Sequence, residues 1–149
     1  MIVATDELRR YRDEVAMIDG GFDPLHGGHI EYMREAAALG APVLCNVSPD
    51  AWIERKHAPL LPQHERVQVV DAIRFVDYTH PSSWKTVDVL RELRPRFYVK
   101  GSDWRGRLPE DEVAVCAEQG TEIVYLDTVL NSSTQVLKNY INALQGCVQ

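Results

Sequence analysis

Short apolar runs alternate along the chain with longer stretches in which apolar residues recur every three or four positions. Val15 to Asp19, Pro42 to Ser48, a short stretch near Phe75 to Tyr78, Phe97 to Lys100 and Thr121 to Leu126 are the runs, brief and rich in β-branched or aromatic residues, as strands are. Between them, Gly28 to Leu39, Gln63 to Arg74, Thr86 to Leu93 and Glu110 to Gln119 carry the helical period, and Ser133 to Leu144 closes the chain in the same way. A further short helix is expected at Asp6 to Arg12. Pro62 and Pro109 stand where helix starts tolerate proline, and Gly40 and Gly120 where helix ends favour glycine. This strand-helix rhythm predicts an α/β fold: a five-stranded parallel sheet with helices on both faces, in three layers. Asp50 to Leu61 and Gly101 to Leu108 are long connections of the kind that carry function.

Composition narrows the picture. With 149 residues, 45% of them hydrophobic and 26% charged, the chain fits one globular domain spanning residues 1–149. Its formal net charge of -6 provides no general basic surface, so neither nucleic acid nor an anionic membrane is an expected partner. The first residues, MIVATDELRRYRDEV, are too charged for the apolar centre of a signal peptide, and no apolar run approaches membrane-spanning length, so a cytoplasmic location is expected. Cys45, Cys116 and Cys147 are odd in number and unpaired in spacing, which argues against a disulfide framework or a cysteine zinc site.

In an open parallel sheet, ligands bind beyond the carboxyl ends of the strands. There the first strand runs into Gly20-Gly21, and the next helix opens near Gly28-His29, so backbone N–H groups and the positive helix end face an anion site. His26 and His29 add imidazole donors, which suit charge that grows on phosphorus during phosphoryl or nucleotidyl transfer. The same pair can also be read as a cap and a core histidine, or as two ligands of a zinc site whose third ligand is not visible. His57, His64 and His80 read as solvated, and Trp52, Trp84 and Trp104 as packing residues.

The stretch Gly21-Phe22-Asp23-Pro24-Leu25-His26-Gly27-Gly28-His29 resembles the G-x-F-D-x-x-H-x-G-H signature of the cytidylyltransferase-like nucleotidyltransferases, with the strand before and the helix after it in place. The resemblance runs from Val15 to about Leu137 and implies a Rossmann-like α/β/α fold. Val99-Lys100-Gly101-Ser102-Asp103-Trp104 is similar to the K-G-G-D-Y stretch of the sugar-phosphate members, with Ser102 and Trp104 as departures. Asn131-Ser132-Ser133-Thr134 looks like the Ser/Thr-rich phosphate motif that opens the last helix in this superfamily, although Asp127 stands where glycerol-3-phosphate cytidylyltransferases carry an arginine. Arg55-Lys56 occupies the place of a phosphate-binding lysine, and Glu65-Arg66 resembles an E-R pair on the following helix.

By resemblance, then, His26, His29 and Lys56 are catalytic. Gly21, Phe22, Asp23, Gly28, Lys100, Gly101, Asp103, Ser132, Ser133 and Thr134 bind nucleotide, and Arg55 and Arg66 are candidates for phosphate. Several of these keep a second reading: Lys56 as a solvated loop lysine, Arg66 as a surface ion pair, Asp103 as a turn cap or a ligand of Mg²⁺ or nucleotide, and Ser133 and Thr134 as an ordinary helix cap. The implied reaction is attack by a substrate phosphate on the α-phosphorus of CTP or ATP, with Mg²⁺ sharing the charge of the leaving pyrophosphate and a phosphorylated sugar or polyol as acceptor. Alternatives in the same class are a glycerol- or ethanolamine-phosphate cytidylyltransferase and a pantetheine-phosphate or nicotinamide-mononucleotide adenylyltransferase. The alternative outside it is a nucleotide-binding module without turnover. Relatives are often dimers, so a homodimer is an expectation.

Overall fold

The computed structural model describes residues 1–128 and 133–147. Its strands, β1 (Ala16–Gly20), β2 (Val43–Val47), β3 (Tyr78–Pro81), β4 (Phe97–Gly101) and β5 (Glu122–Leu126), form one sheet in the order β3-β2-β1-β4-β5. All four pairings are parallel, as strands joined by helical crossovers require. The helices are α1 (Gly27–Ala37), α2 (Asp50–Ile53), α3 (Gln63–Asp71), α4 (Thr86–Leu93), α5 (Glu110–Gln119) and α6 (Ser133–Gly146).

Alternation along the strands divides the core in two. Ala16, Ile18, Val43, Cys45 and Val99 point to one face and pack with Tyr32, Met33 and Ala36 of α1 and Val67 and Val70 of α3. Val15, Met17, Leu44 and Tyr98 point to the other and pack with Leu8, with Val87, Leu90 and Leu93 of α4, and with Val115 and Cys116 of α5. The expected three-layer α/β/α arrangement is therefore present, with apolar side chains on both faces of the sheet. Among the described residues no helix is long and apolar enough to cross a membrane.

Four local expectations need correction. The helix expected over Gln63 to Arg74 stops at Asp71, and the strand placed near Phe75 to Tyr78 begins at Tyr78. Turn bonds from Ile73 N–H to Val70 and from Val76 N–H to Ile73 fill the gap, and pairing of Tyr78 with Leu44 sets where the strand starts. The N-terminal helix is a 3-10 segment, Thr5–Tyr11. His80, read as solvated, is fully buried. The first residues run along β3, with Val3 N–H donating to Thr79 O and Thr79 N–H to Met1 O, each at 2.9 Å. Thr5 is thereby brought over His80, whose Nε2 lies 2.9 Å from the Thr5 hydroxyl while Nδ1 lies 2.7 Å from Asn46 Oδ1.

Burial lowers the His80 pKa to about 4, so the folded ring is neutral where the unfolded ring, near about 6.5, takes up a proton. Its contribution to stability is complete above that unfolded value and is lost as pH falls toward about 4. A His80→Gln variant is expected to be less stable at pH 7 and to show a shallower loss of stability on acidification. Urea unfolding at a series of pH values checks this, and parallel curves for the two proteins would contradict it.

Candidate active site

The chain runs from β1 outward to β2 and β3, then crosses back to β4 and β5, so the order reverses between β1 and β4. That switch point is where open α/β sheets leave a crevice. Pairing of the two strands covers Ala16 with Phe97 and Met17 with Tyr98 and goes no further. Beyond it the strands part, and the carbonyl of Val99 accepts the Tyr32 hydroxyl from α1 instead. A cleft of about 370 Å³ opens over the gap, its floor made by Asp19, Gly20, Lys100 and Gly101.

The signature residues build one wall. A Cβ on Gly20 would come within 3.0 Å of the Phe22 ring, and one on Gly21 within 3.2 Å of Ile53, so the turn needs glycine for close approach. Phe22 adopts a left-handed conformation, φ 52°, which is strained for a bulky residue and lets its buried ring support His29 edge-on at 5.2 Å. His26 is the N-cap of α1. Its Nδ1 accepts from Gly28 N–H at 3.1 Å, and His29 Nδ1 accepts from His26 N–H at 3.2 Å, a reciprocal capping box made of two imidazoles. With both Nδ1 atoms accepting, the ring protons sit on Nε2. Burial lowers the His26 pKa, and burial together with His26 lowers that of His29 to about 3, so both rings are neutral donors at pH 7.

The two histidines are not equivalent. They stack at 3.9 Å, but His29 lines the cleft while His26 stands behind it, its Nε2 buried without a partner among the described residues. The cap reading thus holds for the pair, and of the two only His29 lines the cleft.

The opposite wall is the connection after β2, within which α2 forms a single turn that the sequence reading missed. Lys56 and His57 line the cleft from it, with the Lys56 ammonium 4.3 Å from the Trp52 ring centre. Arg55 is exposed and does not line the cleft. Asp23, expected to touch nucleotide, is 3% exposed, and its two carboxylate oxygens accept from Leu60 N–H at 2.7 Å and Leu61 N–H at 3.1 Å. Arg66 does not line the cleft: it is 1% exposed and donates to the carbonyls of Leu61, Gly21 and Ser48 and to Asp50. Together these two residues fasten the Lys56 connection to the glycine turn. An Asp23→Asn exchange replaces an acceptor with a donor facing an N–H, and should lower kcat/KM by about tenfold or more. In a Lys56→Ala background the same exchange should cost far less. A double-mutant cycle reads the coupling, and additive losses would contradict it.

Lys100 is 7% exposed, 2.8 Å from Asp19 and 4.3 Å from the Trp104 ring centre. Asp103 and Trp104 line the cleft from the 3-10 turn Ser102–Trp104, and Ser133 and Thr134 line it from the start of α6. The Ser133 hydroxyl donates to Pro24 O at 2.9 Å, docking α6 against the signature loop. Gly28 belongs to the cap behind the cleft, Ser132 lies outside the described residues, and Asp127 is exposed and does not line the cleft. Asp19, Tyr32, His57, Thr86, Tyr98 and Glu112 line it although no local pattern marks them.

The chain is similar to known proteins in sequence and in fold. The model of the cytidylyltransferase-like family matches residues 17–139. The chain is 32% identical to the bifunctional protein HldE of Vibrio atlanticus over 98% of its own length and 31% of that protein's. It is 29% identical to the protein of the same name from Pseudomonas syringae, over 92% of its length and 30% of that protein's. It spans about a third or less of the curated relatives it matches. In fold it matches the lipopolysaccharide core biosynthesis protein of Thermoplasma volcanium with a TM-score of 0.67, at 23% identity, over 78% of this chain and 98% of that one. The chain belongs to the cytidylyltransferase-like family of nucleotidyltransferases.

Proposed function

We propose that the chain transfers the nucleotidyl group of CTP or ATP to the phosphate of a small sugar or polyol, releasing pyrophosphate. The observation that carries this reading is the convergence, at the β1/β4 switch point, of the α1 start with its neutral His29 donor, Lys56 from the facing connection and the α6 start with Ser133 and Thr134. These groups suit a polyphosphate, and none of them is arranged as a nucleophile to form a covalent enzyme intermediate. The acceptor phosphate oxygen attacks the α-phosphorus, a new P–O bond forms, and the bond from the α-phosphorus to the bridging oxygen breaks, so pyrophosphate carries away the electron pair. A phosphomonoester is mostly dianionic at neutral pH, its second pKa being about 6, so no general base is needed.

The neutral imidazole of His29 fits a donor rather than a base: its Nε2–H can follow charge onto the α-phosphate without a proton changing hands. Mg²⁺ enters with the triphosphate as part of the substrate, and among the described residues no group of three His, Cys, Asp or Glu side chains is placed to hold an ion. The sugar-phosphate acceptor is favoured by the likeness of the Val99 to Trp104 stretch to the sugar-phosphate members of the family, and by Asp127 standing where the glycerol-phosphate members carry an arginine. Pyrophosphate release, measured across nucleotides and phosphorylated acceptors with and without a chelator, tests the reading. Metal-dependent release with a sugar or polyol phosphate is expected. Release in the absence of any divalent metal, or preference for phosphopantetheine, phosphocholine or nicotinamide mononucleotide, would contradict the corresponding part.

A further inference from the structure

The cleft has two chemically different ends. Around His29, Lys56, Ser133 and Thr134 it offers donors. At the other end, beyond Lys100 and between the starts of α4 and α5, its wall is Asp19, Thr86, Tyr98, Trp104 and Glu112. This second recess lies toward the face of the sheet on which Tyr98 packs with α4 and α5, away from α1.

Its charges are unequally engaged. Asp19 is held inside the wall: Oδ1 takes the Lys100 ammonium at 2.8 Å, and Oδ2 takes the Thr86 hydroxyl at 3.2 Å. Glu112 is different. Its Oε2 accepts the Tyr98 hydroxyl at 2.9 Å, which fixes the carboxyl, while Oε1 accepts from none of the described residues. Glu112 is half-buried, and burial and the neighbouring Asp19 charge raise its pKa. A carboxyl fixed at one oxygen, with the other free in a recess that Thr86 and Trp104 also line, accepts hydroxyl groups well and repels anions. A phosphate is disfavoured beside these two carboxylates, and of the cations that line the cleft Lys100 already pairs with Asp19.

We propose that this recess holds the hydroxyl-bearing carbon chain of the phosphorylated acceptor, and that Glu112 selects for it by accepting a hydroxyl at Oε1 and rejecting chains that end in an anion. The proposal rests on the nucleotidyl-transfer reading above. It makes Glu112 a specificity-determining residue, with Tyr98 as its positioning partner.

Glycerol phosphate and phosphoglycerate, which differ only in a hydroxymethyl or carboxylate end, are the probes. Wild-type protein should prefer the former in kcat/KM. Glu112→Gln removes the charge while keeping the shape, and should shrink that preference by about tenfold, by raising KM for glycerol phosphate and easing the repulsion of phosphoglycerate, with KM for the nucleotide unmoved. Loss of packing alone would not shrink a preference between two acceptors while leaving KM for the nucleotide unmoved. If Glu112→Gln melts early, Thr86→Val on the same recess reads the same ratio. An unchanged ratio, or an equal rise in nucleotide KM, overturns the proposal and leaves nucleotidyl transfer standing. If wild-type protein releases pyrophosphate with no acceptor at all, it is the nucleotidyl-transfer reading that fails. The recess is then judged by titration calorimetry with both probes and inorganic phosphate, and equal affinity for the three overturns it.

Discussion

Replacing His29 by alanine is expected to lower kcat by about a hundredfold or more, the scale on which removal of one preorganised donor acts, while KM for the nucleotide changes little. The expectation follows from position and protonation. His29 lines the cleft and is fixed by the His26 N–H on one side and the Phe22 ring on the other, so its donor does not reorganise as charge develops. With a pKa near about 3, the ring stays neutral across the ordinary pH range, and its contribution should not titrate between pH 5 and 8. His26→Ala should also slow turnover, but by a different route. It removes the α1 cap, so lost stability of about 1 kcal/mol should accompany it. Steady-state kinetics with matched melting curves separate the two, and a His29→Ala enzyme with wild-type kcat would remove the residue from the mechanism.

Arg66→Ala is expected to give the largest loss of stability, about 3 kcal/mol, or roughly 10 °C in Tm for a chain of this size. The guanidinium holds three backbone carbonyls, those of Gly21, Ser48 and Leu61, which belong to the glycine turn, the exit of β2 and the end of the Lys56 connection. Without it those three carbonyls lose the side-chain donor that ties them together. The ion pair with Asp50 adds less, because that carboxylate is 40% exposed. Arg66→Lys keeps the charge but not the fork of donors, and should recover only part of the loss. Calorimetric melting of the three proteins checks the order, and an Arg66→Ala protein that melts with the wild type would refute this role.

Arg66 also shows where sequence reading reaches its limit. An arginine one turn into a helix, after an exposed-looking connection, reads as a surface or ligand-facing cation, because burial of this guanidinium depends on carbonyls of which two lie 45 and 18 positions away. His80 was misread for a similar reason: the residues that cover it come from the start of the chain, 75 positions away in the case of Thr5. Asp19, Tyr98 and Glu112 carry no local mark, since only the parting of β1 from β4 and the starts of two helices bring them together. What depends on short range was legible. Continuous apolar runs such as Val15 to Ile18 belong to strands buried on both faces, Pro62 and Pro109 placed the starts of α3 and α5, and Gly120 placed the end of α5. The signature from Gly21 to His29 was legible for a further reason. A glycine turn where an added Cβ would crowd Phe22 and Ile53, a left-handed Phe22 and a two-histidine cap all lie within the ten residues from Gly20 to His29, so the chemistry is local. The four-residue α2 is too short for periodicity to reveal.

The most direct test of nucleotidyl transfer is the fate of the α-phosphorus. Wild-type protein, Mg²⁺, a nucleoside triphosphate labelled at the α-phosphate and a sugar or polyol phosphate should give labelled acceptor and one pyrophosphate for each label transferred. A label that remains in nucleoside diphosphate while the acceptor gains the γ-phosphate, or one that never leaves the triphosphate with any acceptor, would contradict the account.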